Sequence, residues 1–159
     1  MSAPTPVEAR GHQATTLSGR NVLSGVLLGL GIAAFVDEVV FHQILHWHHF
    51  YDKGTPAAGL ISDGLFHAFS WFATIAALFL FADLRRRGSF HRSLWWGGLL
   101  LGTGGFQLYD GTLQHKAMRL HQIRYDVDLT PYDWTWNITA VLLIVAGTIL
   151  LLRARRRPA

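Results

Sequence analysis

Four stretches, each close to or above twenty residues and nearly free of charge, constrain this chain more than any other feature. They run Val22–His46, Asp63–Phe81, Leu94–His115 and Trp134–Leu152. At ~1.5 Å of rise per residue, each can cross a hydrocarbon layer of ~30 Å as a helix. A helix on the surface of a soluble domain would carry a charged residue every turn or two. The second and fourth stretches are apolar throughout, while the first and third turn polar towards their C-terminal ends. The expected fold is therefore all-α: a polytopic membrane protein with a four-transmembrane-helix bundle over residues 21–152. Residues 1–20 carry Pro4, Pro6 and scattered Ser and Thr, and read as a disordered cytoplasmic lead. Residues 153–159 read as a basic cytoplasmic tail. The first apolar stretch starts late, runs long and lacks a small-residue cleavage site, so a cleaved signal peptide is not expected.

Charge orients the bundle. The net charge of +4 could suggest nucleic acid, but no basic stripe with interleaved aromatics is present. The arginines sit beside the apolar stretches instead, as Arg85–Arg86–Arg87 with Arg92, and as Arg153 with Arg155–Arg156–Arg157. Arg10 and Arg20 precede the first stretch. The positive-inside rule places both termini and the 82–93 loop in the cytoplasm. Connections 47–62 and 116–133 then lie outside. The tryptophans Trp47, Trp71, Trp95, Trp96, Trp134 and Trp136 mostly lie near span ends, as an interfacial aromatic belt does. Cysteine is absent, which excludes a disulfide framework and any thiolate metal site.

The chain also repeats. An offset of 73 residues pairs Gly25, Gly29 and Gly31 with Gly98, Gly102 and Gly104, and pairs Asp37, His42 and His48 with Asp110, His115 and His121. A loop shorter by three residues brings the offset to 70, which pairs Asp63 with Asp133, His67 with Asn137, and the first arginine triplet with the second. These correspondences imply two duplicated helical hairpins in parallel orientation, related by a pseudo-two-fold axis along the membrane normal. The Gly-x3-Gly pairs offer faces on which two helix backbones can approach closely.

The repeated polar residues share one depth, the extracytoplasmic third of the bundle. Ionised groups within a span are costly in lipid, so they turn inward and find partners. Imidazole and carboxylate together suit Zn, Cu or Fe, and helix bundles build such sites from facing helices. The candidate metal ligands are His42, His67, His115, Asp37, Asp110 and Asp63. Glu38, His48, His121, Asp133 and Asn137 are candidates for further ligands or for groups that hold the ligands. Asp37 and His42 stand five apart, about 140° round an ideal α-helix. They share a face only if the helix widens into a π-bulge or frays. The same applies to Asp110 and His115. A haem held between His42 and His115 is the less favoured cofactor.

The segments Phe35-Val36-Asp37, Val40-Phe41-His42-Gln43-Ile44-Leu45 and Trp47-His48-His49 resemble a family of small bacterial membrane proteins catalogued as domain of unknown function 2243. The resemblance continues through Asp63-Gly64-Leu65-Phe66-His67-Ala68-Phe69, Ser70-Trp71 and the Asp110-Gly111…His115…His121 segment. It covers about Val22 to Leu152. Glu38 stands where the family pattern carries a small residue, which gives Asp37 more weight. The resemblance implies a multi-pass protein of the bacterial inner membrane and carries no catalytic assignment.

Three functions fit these residues. The leading one is a transition-metal site near the extracytoplasmic face, with a redox or metal-handling role beside respiratory or metal-handling membrane proteins. The second is a proton or small-solute carrier. The third is a non-catalytic accessory subunit in which the cluster is a structural polar network.

Overall fold

The computed structural model describes residues 6–156, with side chains from residue 15 onward. Four long helices make up the molecule: α1 (Pro6–Asp37), α2 (Pro56–Arg86), α3 (Arg92–Tyr109) and α4 (Thr130–Arg156). Two π-helical segments, Glu38–Ile44 and Asp110–Met118, continue α1 and α3 without a break. No strand occurs among the described residues.

Helix α1 begins earlier than the sequence suggests. Residues 6–20, expected as an irregular lead, are helical. Proline is tolerated in a first turn, and the good helix formers Glu8, Ala9, Arg10, Ala14 and Leu17 follow it. Residues 1–5 and 157–159 lie outside the described part, as does the side chain of His12.

Three helical segments are long and apolar enough to cross a membrane: Thr15–Ile44, Pro56–Arg86 and Thr130–Arg156. Helix α3 falls short because Gly97, Gly98, Gly102, Gly104 and Gly105 replace apolar side chains along it. Those glycines have another use, since α3 lies inside the assembly. The helices are ordered α2–α1–α3–α4, with α1 packed on both α2 and α3, and α3 packed on both α1 and α4.

The central α1–α3 contact is backbone against backbone. A Cβ on Gly25 would stand 2.1 Å from the Trp95 carbonyl oxygen, and one on Gly98 would stand 2.4 Å from that of Val22. Gly29 meets the Leu99 carbonyl as Gly102 meets that of Val26. Each pair repeats at the 73-residue offset. Outwards, Gly31 lies against Ser70 and Thr74, as Gly104 lies against Ala140 and Ile144. Polar bonds lock the other end of the bundle. Asn21 donates to the Ser89 carbonyl at 2.9 Å and accepts from the His91 backbone N–H at 2.8 Å. Arg20 pairs with Asp83 at 2.7 Å, and Arg86 and Arg87 share that carboxylate.

The distribution of polarity is inverted relative to a soluble protein. Asn21, Ser24, Asp37, Glu38, His42, Asp63 and Asp110 are buried, while Leu60, Leu65, Phe72, Phe79 and Leu142 are exposed. Exposed apolar side chains singly are ordinary, but an apolar belt around a polar interior is what a lipid solvent selects.

Candidate metal centre

The widened turns create the site. In a π-helix the backbone bonds span five residues rather than four, so Asp37 and His42 come onto one face, and so do Asp110 and His115. The carboxylate–imidazole separations are 3.8 Å and 3.1 Å respectively. A residue with left-handed backbone follows each π segment, His46 at φ 50° two residues past Ile44 and Arg119 at φ 51° directly after Met118. Neither is glycine, so each conformation costs roughly 1–2 kcal/mol. They turn the chain sharply and fold the connections back across the end of the bundle. Trp47 and Leu120, next in each connection, donate backbone bonds to the Phe41 and Gln114 carbonyls at 2.9 Å.

That reversal carries His48 and His121 inward. Their rings stack with centroids 4.5 Å apart and planes within 4°. His48 Nδ1 donates to the Ile123 carbonyl at 3.0 Å, and His121 Nδ1 donates to the Phe50 carbonyl at 2.9 Å. A carbonyl oxygen can only accept, so Nδ1 carries the proton on both rings and each Nε2 is left with a free lone pair when the ring is neutral. Burial, with His121, His42 and His115 around it, holds the His48 imidazole far below its usual pKa. That ring is neutral.

His42 is oriented by acids. Its Nδ1 lies 2.9 Å from Glu38 and 3.1 Å from Asp63, leaving Nε2 aimed at the interior. Asp63 also accepts from His49 Nδ1 at 2.6 Å and from the Phe50 N–H at 2.7 Å. It therefore ties α2 both to His42 and to the backbone that holds His121. On the second half, Gln114 donates to Asp110 at 3.1 Å.

The result is two sets of three buried groups, Asp37–His42–His48 and Asp110–His115–His121. Within each set one atom per residue lies within 4.8 Å of the others, close enough to hold a metal ion. Glu38, His42 and Asp63 form a third such group. The two sets adjoin: His42 and His48 centroids are 4.5 Å apart, His48 and His115 6.3 Å, and His115 and His121 4.8 Å. Nε2 of His42, His48, His115 and His121 is buried and makes no hydrogen bond within the protein. Nδ1 is engaged on His42, His48 and His121, which leaves three Nε2 lone pairs, and His115 Nε2 lies 3.1 Å from Asp110; together with the two carboxylates they match the nitrogen–oxygen donor chemistry of a transition metal.

Several expected residues fall elsewhere. His67 is exposed and packs on Phe35 with centroids 5.6 Å apart. It follows Asp63 by one turn, but the buried stripe of α2 runs through Asp63, Phe66 and Ser70, and His67 lies beside it. Asp133 bonds Lys116, and Asn137 donates to the Asp133 backbone carbonyl at 2.9 Å. Neither joins the two sets. The stacked His48–His121 pair fills the space between His42 and His115, so no slot remains there for a porphyrin. His46 and His91 are exposed. The backbone carbonyls of Phe50 and Ile123 went unnoticed because connections of irregular backbone bring them in, whereas Gln114 stands four residues past Asp110 in the second π segment, at a spacing the sequence already held.

The residues of this centre all lie within the part of the chain that matches a known sequence family. The family described as predicted membrane protein (DUF2243) matches residues 24–154. The chain belongs to that family. No curated protein and no solved structure matches it. Family membership and the apolar exterior together make it a membrane protein of a family without an assigned activity.

Proposed function

We propose that this protein is a four-span protein of the bacterial inner membrane that binds transition metal in a paired centre near the extracytoplasmic face. Asp37, His42 and His48 form one ligand set, and Asp110, His115 and His121 form the other. The observation that carries this reading is the convergence of four imidazole Nε2 atoms that make no hydrogen bond in a buried site, each facing a carboxylate or another imidazole. A purely structural polar network satisfies its buried atoms, since an orphan acceptor costs about 1–3 kcal/mol. A metal would supply the missing partners, acting as Lewis acid or redox centre when bound. Two His and one carboxylate per set is a donor count used for iron, and equally suits zinc or copper.

The outer contacts favour the same reading. Metal-bound histidine characteristically donates its other ring nitrogen to a carboxylate or carbonyl. His48 and His121 do so to carbonyls, and His42 does so to Asp63, with Glu38 2.9 Å from the same nitrogen. Glu38, Asp63 and Gln114 are thus assigned to orienting the ligands. A depression of about 430 Å³ lined by His46, His49, Asp52 and Tyr125 reaches His42 and His48, and gives metal a polar route in from the aqueous face.

The matching glycine contacts, π segments and histidine bonds at the 73-residue offset support an origin in two duplicated hairpins, with the ligand sets related by the pseudo-two-fold axis. The arginine runs support cytoplasmic termini.

Elemental analysis of protein purified in detergent tests the proposal. Transition metal should co-purify with the wild type, and its content should collapse in a His48→Ala, His121→Ala variant that keeps its helical circular dichroism. Chelation should lower the unfolding temperature of the wild type only. Metal-free protein that is indifferent to both chelator and added metal would defeat the reading.

A further inference from the structure

Among the side chains described at the arginine end of the bundle, Asp83 is the one acid. It is fully engaged, with Arg20, Arg86 and Arg87 on its carboxylate at 2.7, 2.6 and 2.8 Å. The α1–α2 contact that brings Arg20 to Asp83 has a counterpart between α3 and α4. Ser24 donates to the Ala77 carbonyl at 3.0 Å, and at the matching offsets Gly97 lies against the Gly147 carbonyl. Towards the chain ends, the places of Arg20 and Asp83 are taken by Ser93 and Arg153. The second half therefore has a cation where the first half has its anion.

Ser93, Arg153 and His91 line a depression of about 330 Å³. His91 and Ala154 also line a longer groove beside it, of about 860 Å³. Helices α1 and α4 both pack on α3 but not on each other, which leaves that groove open between them. Its outer part is polar, with Ser18 of α1 and Arg155 of α4. Its deeper part runs along Val22, Leu23 and Val26 and is apolar. Ser93 stands in the first turn of α3, where the helix dipole favours negative charge. No described carboxylate pairs with Arg153 or Arg155. Glu8, the other acid at this end of the sequence, is on the first turn of α1, about two turns beyond Thr15.

We infer that this groove binds an anionic phospholipid, its phosphate between Arg153, Arg155 and the Ser93 hydroxyl, and an acyl chain along Val22, Leu23 and Val26. The phosphate takes the place that Asp83 fills in the first half. A guanidinium offers paired N–H donors that match phosphate geometry, and basic pockets between membrane helices recognise such headgroups. Charge complementarity selects the head, and the apolar wall that continues into the span selects the tail. A free phosphate would use only the first. The groove lies at the opposite end of the bundle from the proposed metal centre and does not depend on it.

The test titrates the full chain in detergent with dioleoyl phosphatidylglycerol or dioleoyl phosphatidylcholine and counts bound lipid by native mass spectrometry. The first anionic lipid should bind about tenfold more tightly than the zwitterionic one, the effect of two arginines near a membrane surface. Arg153→Gln with Arg155→Gln should erase that preference. Arg85→Gln with Arg86→Gln removes the same charge from the other half and should keep it. Ser93→Arg with Arg153→Asp, which copies the Arg20–Asp83 pair, should also erase the preference while the helical circular dichroism persists. Equal binding of the two lipids by the wild type, or equal loss in both double-glutamine variants, would overturn the inference, the latter being the mark of diffuse surface charge. Displacement of the lipid by inorganic phosphate would assign the arginines to a free anion and would overturn it as well.

Discussion

At the scale of single residues, the centre depends on side chains that never touch the proposed metal. Asp63 is the clearest case. It is 2% exposed and joins His42, His49 and the Phe50 N–H, and Phe50 in turn accepts from His121. Loss of its charge should loosen one ligand from each set. Asp63→Asn is expected to weaken metal binding by about 10–100-fold, the usual effect of removing an orienting partner. Competitive titration with a chelating dye measures this. An unchanged affinity would mean that Asp63 is itself dispensable to ligand orientation. His67→Ala, by contrast, should leave affinity unaltered, because that ring sits on Phe35 outside both sets. The spacing of Asp63 and His67 made both look equally promising. Only the packing of α2 separates them, since one turn of helix holds both on adjacent strips and burial picks one.

At the scale of elements, the contact between α1 and α3 should be intolerant of a single methyl group. A Cβ at Gly29 would lie 2.0 Å from the Leu99 carbonyl oxygen, and one at Gly102 would lie 2.1 Å from that of Val26. Both obstacles are backbone and cannot rotate away. Gly29→Ala and Gly102→Ala are each expected to destabilise the protein by about 1–3 kcal/mol through overpacking. Gly105→Ala meets nothing within 4 Å and should be neutral, or stabilising by up to ~1 kcal/mol from helix propensity. Thermal unfolding in detergent distinguishes the three. Equal losses at Gly29 and Gly102 would match their equivalent positions in the two halves. The π segments are the other element-scale device. The five-residue interval between Asp37 and His42 made a register change necessary if they were to meet. Its length, and the left-handed residues that end it, came from the structure.

For the whole molecule, the absence of cysteine makes topology directly measurable. Ser89→Cys in the α2–α3 connection should react with a membrane-impermeant maleimide only from the cytoplasmic side. Asp126→Cys, in the connection between α3 and α4, should react only from the outside. Labelling of both from one side would contradict the orientation inferred from the arginine runs.

The sequence by itself determined the solvent of this protein and the number of its helices. Those follow from the length of its apolar stretches and from where charge is excluded, both local properties that survive without knowledge of neighbours. It also displayed the 73-residue offset that pairs Asp37 and His42 with Asp110 and His115. Tertiary structure decided which polar residues meet. His48 and His121 lie in irregular connections, where no helical period assigns a face, and the turns at His46 and Arg119 are what bring them together. The exposure of His67 and the three bonds of Asp63 are likewise tertiary. Each depends on which strip of α2 its neighbours bury, and residue spacing alone does not choose between adjacent strips.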